Sequence, residues 1–187
     1  VSANMEYVED GVVNYDDKRY QTEAVSYCEN LSLSGRTDWR LPNIKQAYSL
    51  ILFSGKDASN YQGSDTSGLT LFLDSVFDRA FGDLNATQTS NGFTPPDGVD
   101  RIIDGQYAST SLYVSATMQA DATMFGMNYV DGRIKGYPLE TKEFYVRCVA
   151  GNEMYGENNL TQNNDTTISD NATGLMWQQD DSLSSDF

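Results

Sequence analysis

Three aspartates, Asp97, Asp100 and Asp104, fall at i, i+3 and i+7 within a glycine-flanked stretch, residues 96–105. Calcium takes about six to eight hard oxygen ligands, and aspartates with backbone carbonyls in a flexible loop supply them. The triad is therefore the calcium candidate, although it follows no strict loop pattern of the EF-hand kind, and a solvated acidic loop is the plain alternative. Further carboxylates lie near the start (Asp10, Asp16, Asp17) and near the end (Asp165, Asp170, Asp180, Asp181). With a net charge of −15, packed copies of the chain repel one another, so cations between such groups would assist assembly. Two carboxylates at the right separation would also suffice for a glycosidase, but nothing in the sequence positions such a pair.

The remaining reactive side chains narrow the field. There is no histidine, which removes Ser-His-Asp and Cys-His chemistry, histidine acid/base catalysis and nearly every zinc, copper or haem site. The expectation is a protein without catalytic activity. Tyrosine is abundant, with 12 residues, and exposed tyrosine beside Asn and Asp suits sugar binding. Tyr61, Tyr107, Tyr113, Tyr129 and Tyr137 form that pool, with core packing expected for most. Two cysteines, Cys28 and Cys148, are either one disulfide, as in an oxidising compartment, or two buried thiols. A bridge closing so long a loop would stabilise by up to roughly 4–5 kcal/mol in the chain-entropy account.

The 187 residues, 39% hydrophobic and 21% charged, suit one domain, or one domain with an appendage, and can bury a real core. Nucleic acid is an improbable partner for so acidic a chain without a basic cluster. No apolar run approaches the roughly 20 residues of a membrane span. The absence of a leader before Val1 fits a mature exported chain and a segment of a longer one alike.

Several elements must carry these groups. Asp10-Gly11 marks a hairpin near residues 6–15. Ala24, Val25, Cys28 and Leu31 make one face of a helix that starts near Thr22 and ends before Gly35, turning Cys28 inward. Pro42 opens a second helix, with Ile44, Ala47, Tyr48 and Ile51 on one face, running to Ser54-Gly55. Residues 56–104 are loop-rich. Strands are expected over 107–116, 123–130, 133–137 and 143–149, with a turn at Asp131-Gly132. Helices first and strands afterwards indicate an α+β domain. Residues 151–165 form a polar linker, and two strands flank Asp170-Asn171-Ala172.

Asp38-Trp39-Arg40-Leu41-Pro42-Asn43, the preceding Ala24-x-x-Tyr27-Cys28-Glu29-x-Leu31, Tyr107-Ala108-Ser109-Thr110-Ser111 and Tyr145-Val146-Arg147-Cys148-Val149 together resemble the Lcl C-terminal domain family of bacterial surface and exported proteins. The likeness covers residues 20–150. It implies a C-type-lectin-like fold over residues 1–150: two helices, then a twisted antiparallel sheet with long loops, and a strand-bearing extension over 151–187. It also implies a Cys28–Cys148 disulfide tying the first helix to the last strand. Trp39 is then a core anchor beside the bridge, and Arg40 and Arg147 are structural cations paired with carboxylates.

The family's opening hairpin, T-x-x-D-N-x-T-G-L-M-W-Q, is not recognisable in residues 1–20 but stands at 167–178, ending in Gly174, Leu175, Met176, Trp177 and Gln178. The chain is thus a slice of a tandem array, a permutant whose tail folds back, or a subunit whose tail enters the next molecule. The last is a head-to-tail contact that builds open filaments unless its rotation closes. Donor-strand complementation supplies its mechanism, and burying Leu175, Met176 and Trp177 would contribute roughly 5–8 kcal/mol before ordering costs. The expected function is a secreted or cell-surface structural subunit that self-assembles, calcium-assisted. The alternative is a glycan- or matrix-binding adhesin module.

Overall fold

Ala24 and Cys28, one helical turn apart, are both fully buried on the inner face of α1 (Gln21–Glu29). The Glu23 carboxylate accepts from the Tyr20 N–H at 3.1 Å and ties down the helix start. The computed structural model describes residues 13–77, 80–83, 100–117 and 120–180. They divide into two units at Gly151. The expected hairpin around Asp10-Gly11 lies outside the described residues.

α2 (Ile44–Tyr48) starts at a reciprocal cap: Asn43 Oδ1 accepts from the Gln46 N–H at 2.8 Å, and Gln46 Oε1 from the Asn43 N–H at 3.1 Å. It is shorter than the periodicity suggests. Past Ser49 the backbone turns to another partner: the Leu52 N–H donates to the Phe72 carbonyl at 3.0 Å and the Lys56 N–H to Thr70 at 2.8 Å. Hydrogen bonds across the chain replace those a continued helix would have made.

The first sheet is antiparallel, in the order β1 (Gln106–Tyr107), β2 (Thr123–Asn128), β3 (Arg133–Pro138). Met124 and Met127 point to opposite faces of β2, and both are completely buried. On one side lies a cluster with Ala47, Leu71, Tyr107, Tyr129 and Tyr145; on the other lie Ala24, Leu41, Tyr137, Phe144 and both cysteines. This two-sided burial explains why β2 lacks the in-and-out alternation of a half-exposed strand. Gly126 makes room for the Tyr137 ring, because a Cβ there would stand 2.6 Å from it.

Two expected strands are broken up. The 107–116 strand is split: the Ser109 hydroxyl donates to the Phe125 carbonyl at 2.5 Å and interrupts the ladder after β1, and pairing with β2 returns only at a bridge between Leu112 and Met124. Residues 143–149 bridge three different partners: Phe144 with Arg19, Tyr145 with Tyr107, and Val149 with Arg40.

The second unit is a separate antiparallel sheet of β4 (Leu160–Gln162), β5 (Thr167–Asp170) and β6 (Leu175–Gln178), in that order. The expected strand pair is present, while β4 lies at the end of the stretch read as polar linker. Two short helices and two small antiparallel sheets make this an α+β protein. No helix among the described residues is long and apolar enough to cross a membrane.

Candidate functional site

Three places concentrate chemistry: a buried ion cluster, the disulfide, and the C-terminal sheet. The cluster begins at the short 3-10 turn Tyr15–Asp17, after which Arg19 makes two backbone hydrogen bonds to Phe144, each of 2.8 Å. Lys18, one residue earlier, is only 1% exposed. Its Nζ donates to Asp100 Oδ2 at 2.5 Å and to the Asp104 carbonyl at 3.0 Å, and lies 5.1 Å from the centre of the Tyr145 ring. Close backbone packing places the acceptors. A Cβ on Gly82 would stand 1.7 Å from the Arg101 carbonyl, and one on Gly105 would stand 2.4 Å from that of Ala80. The resulting approach lets the Asp83 N–H donate to Asp100 Oδ2 at 3.0 Å.

Asp104 is bound by Arg101, whose Nη2 reaches Oδ1 at 3.1 Å, and by Gln106 Nε2 at 3.1 Å. Despite opposing desolvation, these bonds hold its carboxyl below the usual range. Asp100 goes the other way: burial outweighs the Lys18 charge and raises its pKa. The expected calcium ligands therefore face protein cations: Lys18 holds Asp100 and Arg101 holds Asp104, while Asp97 lies outside the described residues. No cluster of three His, Cys, Asp or Glu side chains suited to a metal occurs among the described residues. Of the other acidic groups, Asp17 and Asp170 are buried, whereas Asp10 and Asp181 are not described.

Cys28 and Cys148 are joined by a disulfide across 120 residues. Beside it, Arg40 and Val149 exchange two backbone hydrogen bonds of 2.8 Å, so Arg40 pairs with the residue that follows Cys148. Half-buried Trp39 packs on the cluster that contains both cysteines, and its Nε1 donates to the Leu33 carbonyl at 3.3 Å. The Arg147 guanidinium lies over the rings of Phe77 and Tyr107, at 4.9 and 5.4 Å. Among the tyrosines considered for sugars, Tyr107, Tyr129 and Tyr137 are core residues, and burial pushes the phenols of Tyr129 and Tyr137 upward. Tyr61 is half-buried, as is Tyr113, which stacks on Phe125 at 3.9 Å.

The C-terminal hairpin turns on Asp170, which is 6% exposed. Its carboxylate accepts from the Ala172 N–H and the Thr173 hydroxyl, its carbonyl accepts from the Gly174 N–H at 2.8 Å, and Gly174 takes a positive φ of 75°. Pairing sets Leu160 across from Asp170 and Asp170 across from Leu175, with Gln162, Ile168 and Trp177 in the next row. Directly paired residues share a face. One face thus carries Leu160, Ile168, Leu175 and Trp177 beside Gln162 and Asp170, with Leu160, Leu175 and Trp177 exposed to 54, 54 and 56%. Met176, at 65%, is on the opposite face, and β6 is an edge strand.

A groove of 610 Å³ also runs along the outer side of α1, lined by Arg19, Thr22, Glu23, Ser26, Tyr27 and Asn30 among others. Sequence reasoning missed this groove, β4 and Lys18. Lys18 sits in the run Asp16-Asp17-Lys18-Arg19, which has the composition of a solvated surface.

No curated protein and no solved structure matches the chain. Residues 5–150 match the family described as the Lcl C-terminal domain. That span opens well before α1, which corrects the view that the likeness starts at residue 20, and it leaves residues 167–178 outside. Most of the first 20 residues thus falls inside the family's own span, so a missing opening element no longer motivates strand exchange. The chain belongs to the Lcl C-terminal domain family.

Proposed function

We propose that this protein is a non-catalytic structural module of a bacterial surface, with a C-type-lectin-like first unit, and that it associates with copies of itself through its C-terminal sheet. The observation that carries this reading is the apolar face of that sheet, where Leu160, Leu175 and Trp177 are each more than half exposed. Exposed clusters of large apolar side chains are costly in water and mark contact surfaces. The edge strand β6 adds unpaired backbone groups that a second copy could pair, by edge addition or by strand exchange. Family membership and the disulfide support a surface location.

The test is sedimentation velocity over a concentration series on the full chain, on Trp177→Asp, and on a chain ending at Gly151. The full chain should associate and both altered forms should remain monomeric. Association that persists in both would refute the reading.

A second reading, a glycan-binding adhesin, draws on the α1 groove, whose hydroxyls, Asn30 amide and Tyr27 ring are groups that sugars engage. A glycan array probed with wild type and Tyr27→Ala decides it. Signal lost in the variant would support the groove, and an array blank with wild type would dismiss it.

A further inference from the structure

Lys18 and Asp100 meet in a place where an ion pair is poorly served. Both side chains are fully sheltered from solvent, and Nζ stands 2.5 Å from Oδ2. Asp100 Oδ1 is buried with no hydrogen-bond partner among the described residues. A buried pair repays its desolvation only when the remaining lone pairs are also satisfied, and here one oxygen is not.

We propose that Lys18 and Asp100 are a self-cross-linking site, at which the lysine amine and the aspartate carboxyl condense to an amide. The side chains are held in contact before reaction, so no encounter has to be arranged, and such orientation is a large part of the barrier in intramolecular acyl transfer. One N–H of Lys18 is directed to the Asp104 carbonyl at 3.0 Å, and the Asp83 N–H is directed to Oδ2 at 3.0 Å. The first restrains the amine; the second fixes the orientation of the carboxyl group.

Proton transfer within the pair turns ammonium and carboxylate into amine and carboxylic acid, the reactive forms. The surroundings favour that transfer, because burial raises the Asp100 carboxyl toward its neutral state.

The step balances without a co-reactant. Nζ attacks Cγ and forms the C–N bond. The bond from Cγ to Oδ2, the oxygen that takes the Lys18 proton, breaks, and Oδ2 leaves as water with two of the three ammonium protons. The third stays on nitrogen as the amide N–H, facing the Asp104 carbonyl. Two buried charges disappear, and the Tyr145 ring at 5.1 Å, with both side chains of the pair sheltered from solvent, helps exclude the water that hydrolysis would need. The product joins segments 82 positions apart, adding a second covalent tie to the Cys28–Cys148 bridge. This inference is independent of the assembly reading, because the bond forms within one copy.

Intact-mass spectrometry of the purified full chain under reducing conditions tests it. The wild type should be lighter than its sequence by one water, and its tryptic digest should contain a branched peptide joining Lys18 to Asp100. Lys18→Arg and Asp100→Ala should show the full sequence mass. A wild-type mass equal to the sequence would overturn the proposal. So would a water loss that maps elsewhere, such as a succinimide at Asp104-Gly105 or Asp131-Gly132. The wild-type measurement decides even if a variant fails to fold.

Discussion

Asn128 shows how much of the first unit depends on single buried polar groups. Wholly inaccessible to solvent, it donates from Nδ2 to the Ile103 carbonyl at 2.7 Å and accepts at Oδ1 from the Val130 N–H at 2.9 Å. It thereby joins the end of β2 to the segment that carries Asp100 and Asp104. Asn128→Leu should cost about 2–4 kcal/mol in urea unfolding, because it strands a carbonyl and an N–H in the interior. Lys142 presents the opposite case. Desolvation lowers its pKa to about 8 from an ordinary 10.5. Between those values the unfolded chain binds the proton and the folded chain does not, so stability rises with pH across that window. Below it, the fold carries the full cost of a poorly hydrated ammonium. Lys142→Met should therefore stabilise at pH 7 by about 1 kcal/mol and have little effect near pH 11, as read from urea midpoints at the two pH values. Neither residue announces itself in the sequence. Asparagine reads as a turn former and lysine as a surface charge until the neighbours are known.

At the scale of elements, local signals and cross-chain bonding divide the outcome. α1 is legible because Ala24 and Cys28 follow the helical repeat and Glu23 closes its start. The Asp131-Gly132 turn between β2 and β3 is equally local, with Gly132 at a positive φ of 72°. α2 stops early, and residues 143–149 form no continuous ladder, because their backbone groups are claimed by residues distant in sequence. The disulfide acts on this second kind of order. It fastens α1 to the segment whose neighbours bridge Arg19, Tyr107 and Arg40. Replacing both cysteines by serine should lower unfolding free energy by about 2–5 kcal/mol. Wild type treated with reductant should show a matching loss in chemical denaturation, and an unchanged midpoint in both would contradict a structural role.

For the whole molecule, charge and apolar surface pull against each other. A chain of net charge −15 repels its copies over roughly 8–10 Å at physiological ionic strength, whereas the contact proposed for the C-terminal sheet is short-ranged. Association should therefore strengthen as sodium chloride rises from low to physiological concentration, with sedimentation as the readout. Weakening over that range would point to charge pairing in place of apolar contact. The sequence by itself determined the family, the α+β class, the inward face of α1 and the C-terminal hairpin, because each rests on a repeat or a turn written within a few adjacent residues. Only the tertiary structure decided that Lys18 neutralises Asp100, that Arg147 lies over aromatic rings, and that β4 completes a separate sheet. Those outcomes depend on which distant groups share a dry interior or a free backbone edge, and no short stretch of chain encodes that.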